Sequence, residues 1–330
     1  MRKSCRSLRI TALKLSAVND PLVIVRTLKP HESLARCGGT RIIVITMLRT
    51  KTKVKLAALA YRCIASGRAI AGKDQFATVS RRGLRWHLDL SEGIDFSIYL
   101  LGTFEHSTTV TLHKLVNSGD VVFDIGANIG AHTLGLARSV GPAGRVFAFE
   151  PTGFAFAKLK DNLALNPELE ERTHPWQIVL AAELSGLAQP EIYASWPLKK
   201  NSSVHPKHCG RLVATRGASV DTLDHFAERE GIDRVNLIKI DVDGQELQVL
   251  RGGLRVLKEF QPLLVIEISP YVQAEHNNSF STFVSLLRDA GYSLQDAATW
   301  NPLPLDAGRL EALIPDGASI NAIARPKNRL

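Results

Sequence analysis

The sequence predicts an α/β fold: a doubly wound, mostly parallel sheet preceded by a basic N-terminal extension. Three observations carry that expectation. From Gly119 onward, short apolar runs alternate with helical patterns. The runs are apolar on both faces, as strands covered by helices on either side must be. The first run closes on a glycine-rich turn that opens a helix. Composition agrees: 45% apolar and 22% charged residues across 330 positions give a chain able to bury a core, in one large domain or two.

The elements follow in order. Residues 1–46 lack periodicity and carry Pro21, Pro30, Gly38 and Gly39, so a poorly structured basic extension is expected there. The only methionines are Met1 and Met47, and a native start at Met47 is one expectation for this segment. Residues 47–83 read as a basic helical and linker segment, with Leu56, Leu59, Ala60, Cys63 and Ile64 at helical spacing. Within it, residues 47–73 are the candidate contact to an anionic membrane surface, weighed against a plain solvated face. Strands are expected at Thr78-Val79, 84–90 and 96–101, capping the entrance to what lies downstream.

The main domain is expected over residues 84–300. Its strands fall at 121–126 (VVFDIG), 145–150 (RVFAFE), 176–181, 236–241 (NLIKID) and 262–268 (PLLVIEI). Helices fall at 131–140, 154–166, 222–230 and, as one piece, 245–258. Residues 301–330 are expected to add a strand and tail that complete the sheet.

Charge is unevenly placed. Residues 1–85 hold 19 Lys and Arg against three acids, a net of +16, whereas the remainder is net −7. The high pI therefore belongs to the N-terminal segment, and no specific nucleic-acid partner is expected for the body. The longest apolar candidate, residues 42–48, is seven residues with Thr46 included, far from the roughly 18–20 of a membrane-spanning helix. No signal-peptide core precedes an A-x-A site. Cys5, Cys37, Cys63 and Cys209 are scattered, which fits a reducing compartment and neither a disulfide frame nor a zinc site. A cytoplasmic location, peripheral at the inner face of the membrane if the basic helix engages it, is the expectation.

In doubly wound sheets ligands bind beyond the carboxyl ends of the strands. The first strand ends D-I-G-A-N-I-G, offering Asp124, Gly126, Ala127, Asn128 and Gly130. Its spacing is not the dinucleotide G-x-G-x-x-G, and no G-K-[ST] makes a P-loop. An acid before the turn suits a ligand with an amino group or cationic centre. The second strand ends in Glu150, placed to accept ribose hydroxyls, as NAD-binding and S-adenosylmethionine-binding sheets both do. The fourth strand delivers I-K-I-D-V-D-G-Q-E, with Lys239, Asp241, Asp243 and Glu246. A lysine inside a strand is costly unless it meets an acid. The three acids could take a hydroxyl proton, orient a ligand or hold a divalent cation, and Glu246 could instead complement its helix dipole. The fifth strand adds Glu267.

DIGANIGAHT, FAFEP, LIKIDVDGQELQVLRGG and PLLVIEI, with LLGTFEHSTT upstream, resemble the FkbM-type S-adenosylmethionine-dependent methyltransferases. The resemblance implies a class I, Rossmann-like methyltransferase. It implies that Asp124, Gly126, Ala127, Asn128 and Gly130 line the methionine part of the cofactor, that Glu150 holds the ribose, that Glu183 meets the adenine, and that Asp241 faces the methyl-transfer centre. Asp243 stands where the family usually has Glu.

The implied activity is O-methylation of a hydroxyl on a saccharide, glycan or secondary metabolite. Asp241, Asp243, Glu246 and Lys239 are the catalytic candidates, and Glu105, His106, Ser203 and His205 the acceptor-side ones; His132 reads as a helix cap or packing residue. A divalent metal stays open. Alternatives are N- or protein-directed methylation at the same cofactor site, or a non-catalytic cofactor-binding protein tethered by its basic arm. The position that reads N-P-P-Y in amino-directed nucleic-acid methylases here reads D-V-D-G.

Overall fold

The computed structural model describes residues 50–184, 190–199, 204–207 and 209–327. The expected extension over residues 1–46, together with Ser203, lies outside the described residues. The chain divides into a unit of residues 1–47 and a unit of residues 48–330, and the second contains everything that follows.

An eight-stranded sheet forms its centre: β1 (Val121–Ile125), β2 (Arg145–Phe149), β3 (Thr173–Trp176), β4 (Leu237–Ile240), β5 (Leu263–Ile268), β6 (Tyr292–Asp296), β7 (Pro302–Leu303) and β8 (Ile320–Pro326). Their spatial order is β7-β6-β8-β5-β4-β1-β2-β3. The run from β5 to β3 is parallel throughout. Strand β8 is antiparallel and sits between β5 and β6. That insertion departs from the dinucleotide-binding order 3-2-1-4-5-6. Chain order reverses between β1 and β4, which sets the switch point, and hence the site, beyond their carboxyl ends.

Alternation along the strands sends side chains into two cores, one on each face of the sheet. Val121, Phe123 and Ile125 enter the first core with Ile238, Ile240 and Phe226. Val122 enters the second with Val146, Ala148, Leu134 and Leu159. Successive strand residues point to opposite faces, so both faces must be covered for such runs to be stable. Helices supply the cover. Helix Gly153–Ala164 starts at Thr152, whose hydroxyl accepts the N–H of Ala155 and satisfies one of the orphan donors of the first turn. On the first face Phe123 meets Phe147, Phe149 and Phe226 edge-on.

Three sequence expectations need correction. Residues 96–101, expected as a strand, belong to helix Gly93–Leu101. Ile94, Phe96 and Ile98 are buried at every second position, which mimics a strand, but Asp95 between them is buried as well. It is held by the N–H of Asp89 and the ammonium of Lys158. The third strand of the sheet is Thr173–Trp176, not residues 176–181; Ile178–Leu180 instead pairs with Ser219–Asp221 in a separate ribbon. Pro175 hid it, since proline demotes a run, yet β3 is the edge strand, where a missing N–H is tolerated. The helix expected over residues 245–258 is two pieces, Glu246–Arg251 and Leu254–Glu259. They part at Gly252-Gly253, where a Cβ on Gly252 would overlap the carbonyl oxygen of Ala181.

Helix Thr50–Ile70 and the antiparallel hairpin Phe76–Arg81 with Leu84–Asp89 precede the sheet. Tyr61 docks the helix, edge-on against Phe96. A second hairpin, Glu191–Ser195 with Arg211–Ala214, is inserted between β3 and β4. Among the described residues no helix is long and apolar enough to cross a membrane.

Candidate active site

The site begins with backbone. β1 ends Asp124-Ile125-Gly126, and Gly126 takes φ +80. A Cβ there would overlap the carbonyl oxygen of Asp241, so the turn leaving β1 presses directly on the end of β4. The N–H groups of Gly126 and Ala127 donate to the carbonyl of Phe149, and Gly130 N–H closes the turn on Ala127. Asn128, at φ +48, donates its N–H to Glu150 Oε2 (3.0 Å) and its Nδ2 to the Ala194 carbonyl (3.1 Å). Glu150 Oε1 accepts from both the N–H and the hydroxyl of Thr152. The carboxylate that ends β2 thus braces the glycine turn, and burial raises its proton affinity.

Lys239 ties β4 to β1. Its Nζ donates to the Gly126 carbonyl (2.9 Å) and lies 3.4 Å from Asp124 Oδ1 and 3.6 Å from Asp241 Oδ2. The side chain is 4% exposed. Burial disfavours its charge, but the carboxylates of Asp124, Asp241 and Glu105 outweigh that cost and raise its pKa above the ordinary lysine value. Asp124 Oδ2 is satisfied by the hydroxyl of Thr133 (2.6 Å).

Two groups, Glu105 and Asn321, come from outside the sheet's βα turns, and the first meets His132 of the turn that leaves β1. Glu105 caps helix His106–Leu115 at φ +43, and its Oε2 accepts from Nδ2 of Asn321 on β8 (3.2 Å). The same oxygen lies 3.9 Å from His132 Nε2. Burial and the Asp241 carboxylate push the Glu105 carboxyl up to about 7. His132 is buried, and burial with the Lys239 charge lowers it to about 3, so the imidazole is neutral across the physiological range.

The D-V-D-G turn is held from below. Glu246, the first residue of its helix, accepts the N–H groups of Val242 and Gly244, both at 3.2 Å, and burial raises its pKa to about 7. Asp243 sits at φ +47. Aspartate tolerates the left-handed region better than longer side chains do, which gives the shorter carboxylate here a conformational reason. Burial first and Asp241 second raise both Asp243 and Glu267 well above the usual carboxylate range.

Other candidates from the sequence make none of these contacts. His106 and Glu183 are exposed. His205 lies 3.4 Å from Glu275 with its ring against Tyr193. Tyr271, pushed up to about 12 by burial and by Glu267, Glu275 and Asp243, lies under the Lys207 ammonium at 5.0 Å. Sequence reasoning passed over Thr133, Tyr193, Tyr271 and Asn321; no local pattern marks Asn321, which reaches Glu105 across 216 positions. Among the described residues no group of three or more His, Cys, Asp and Glu side chains is arranged to hold a metal ion.

Residues 124–294, just over half of the chain, match the model of the methyltransferase FkbM domain. The chain belongs to the FkbM methyltransferase family. Among curated relatives, Methyltransferase 1 of Beauveria bassiana is 28% identical over 55% of this chain and 76% of its own length. The hexuronic acid methyltransferase AglP of Haloferax volcanii is 29% identical over 45% of this chain and 56% of its own. The 31-O-demethyl-FK506 methyltransferase FkbM of Streptomyces tacrolimicus is 32% identical over 41% and 59%. The enzyme is accordingly a methyltransferase built on a Rossmann-like sheet. The family match opens at Asp124, so Glu105 and Asn321 are contributed by flanking segments outside it.

Proposed function

We propose that this methyltransferase uses S-adenosylmethionine to methylate a hydroxyl group of a saccharide or secondary metabolite. The observation that carries this reading is the cluster at the strand ends: Lys239 Nζ lies 3.6 Å from Asp241 Oδ2, and Glu105, held by Asn321 at 3.2 Å, is near enough for both charges to act on its carboxyl, which burial and Asp241 raise to about 7. A hydroxyl acceptor needs help with one proton, and a base is most effective when its pKa lies near the working pH.

The residues fit the cofactor chemically. Glu246 Oε2 is a buried acceptor without a hydrogen-bond donor, and Asp124 Oδ1 has only the Lys239 ammonium, at 3.4 Å, which it shares with Asp241. A ligand bearing an ammonium, ribose hydroxyls and a positive sulfur supplies what those groups lack. Asp124, Gly126, Ala127, Asn128 and Gly130 would hold its methionine part, Glu150 its ribose, Glu183 its adenine edge, and Asp241 would face the methyl-bearing sulfur. Bound there, S-adenosylmethionine supplies an already activated methyl group.

The chain's own residues do the rest. Lys239 and Glu246 position the two turns, the first by joining the ends of β1 and β4, the second by holding D-V-D-G. Asp243, whose proton affinity burial and the Asp241 carboxylate raise, lies in the same turn, within reach of a hydrogen bond to an acceptor oxygen. Glu105 would take the hydroxyl proton as the oxygen–carbon bond forms and the sulfur–methyl bond breaks, leaving a neutral thioether. Tyr193, Tyr271 and His205 supply an aromatic wall for a ring-shaped acceptor. The names of the relatives from Haloferax and Streptomyces, one directed to a hexuronic acid and one to an O-demethylated natural product, support a hydroxylated acceptor.

The test is calorimetric titration with S-adenosylmethionine, S-adenosylhomocysteine and NAD, followed by transfer of a labelled methyl group to a panel of saccharides and polyols. Micromolar binding of the first two, lost in Glu150→Ala, with label recovered in an ether, supports the reading. A folded protein that binds neither overturns it.

A further inference from the structure

Helix Thr50–Ile70 has two apolar sides, and among the described residues one of them packs on the core. Tyr61 is buried, and Ala57, Ala58, Ala60, Ile64 and Ala65 pack with it on the core. On the opposite side Leu56, Leu59 and Ile70 are 53%, 59% and 89% exposed, and Cys63 is exposed with them. At about 100° per residue these four positions fall within roughly 60° of one another, so they form a single stripe facing away from the protein. Chance scatter of apolar residues on a surface needs no explanation, but an aligned stripe does.

Charge identifies what the stripe fits. The helix carries Lys51, Lys53, Lys55, Arg62 and Arg68 and no acidic residue. Arg68 is committed, donating to the carbonyls of Asp74 and Phe76 and so tying the helix to the hairpin. Lys55 and Arg62 are exposed and lie along one flank of the stripe. An apolar stripe bordered by lysine and arginine, on a helix too polar to insert across a bilayer, is the pattern of a helix that lies in a lipid–water interface. Anionic headgroups attract the flanking cations while the leucines and isoleucine enter the acyl boundary.

We propose that helix Thr50–Ile70 docks this enzyme on anionic phospholipid surfaces through Leu56, Leu59, Cys63 and Ile70. Docking through an outward face leaves Tyr61 and the helix's seat on the body undisturbed.

Vesicle sedimentation of the full chain tests this. The full chain is expected to sediment with phosphatidylcholine vesicles containing phosphatidylserine, to leave them as salt rises, and to ignore phosphatidylcholine alone. The triple variant Leu56→Ser/Leu59→Ser/Ile70→Ser should lose at least about tenfold in partitioning, and Lys55→Glu/Arg62→Glu should lose a comparable amount. Both should keep the thermal midpoint, because the substituted side chains are exposed. Three results overturn the proposal: no sedimentation of the wild-type chain with the anionic vesicles; undiminished sedimentation of the triple variant, which would place the lipid affinity outside this stripe; or a dimer of the wild-type chain that becomes a monomer in the triple variant, which would assign the stripe to a second copy.

Discussion

Lys239 Nζ donates to the carbonyl oxygen of Gly126 at 2.9 Å, joining the end of β4 to the turn that leaves β1. The ammonium also neutralises Asp124 and Asp241, which approach it from those same two strands. One side chain therefore fixes both the shape of the glycine turn and the charge balance beneath it.

Removing that ammonium should be expensive. Lys239→Met would leave two carboxylates buried or half-buried without a counter-charge, and breaking a buried pair in this way costs about 3–5 kcal/mol. We expect a clear fall in thermal midpoint. An unchanged midpoint would show that the lysine is dispensable to the turn.

Gly126→Ala should separate the two strand ends. The added methyl cannot coexist with the Asp241 carbonyl, and the positive φ resists any L side chain. Loss of cofactor binding by calorimetry, with a lowered thermal midpoint, is the expected result. Wild-type affinity would contradict the close approach.

Glu105 should govern the pH dependence of methyl transfer. A base must be ionised, so kcat/KM is expected to rise with pH through about 7, the value to which burial and Asp241 bring this carboxyl. His132, at about 3, is neutral throughout and cannot supply that limb. Glu105→Gln should lower kcat by roughly two to four powers of ten and flatten the profile. Asn321→Ala should move the midpoint of the limb upward, since its amide donates to the charged carboxylate. A limb that survives in Glu105→Gln would assign the proton to another group.

Glu246 separates a positioning role from a chemical one. Its folded pKa of about 7 stands above the ordinary 4.5, so its stabilising contribution is complete below pH 4.5 and is lost as pH rises through 7. Glu246→Gln keeps an acceptor for Val242 and Gly244 and should hold the thermal midpoint steadier between those values. Glu246→Ala strands the buried N–H of Gly244 and the half-buried one of Val242 and should cost about 1–3 kcal/mol. Chemical denaturation of the three proteins at pH 5 and pH 8 distinguishes these outcomes.

Much of the sheet was legible because its strands are local statements. VVFDI, LIKI and LLVIEI are apolar on both faces, and no other environment suits them as well as a parallel sheet between helices. Elements whose local pattern opposed their final place were misread. Helix Gly93–Leu101 is apolar at alternate positions, β3 contains a proline that only an edge position permits, and the helix interrupted at Gly252 breaks because the backbone of Ala181 comes too close.

The candidate site divides along the same line. Asp124, Gly126, Glu150, Lys239, Asp241, Asp243 and Glu246 stand at strand ends, where the rule for open α/β sheets directs attention from sequence alone. What the sequence could not determine was their mutual arrangement. It offered Lys239 a partner without saying which, offered Glu246 a capping or a chemical role, and read His132 as a helix cap or packing residue. Tertiary structure decided these, because a pKa and a buried charge depend on distances between segments that are remote along the chain. Glu105 acquires its proton affinity from Asp241 and its orientation from Asn321, one residue more than 100 positions downstream and the other more than 200. Composition and periodicity govern how each segment folds; only the closing of the sheet, with β8 inserted against β5, brings three such segments to one point.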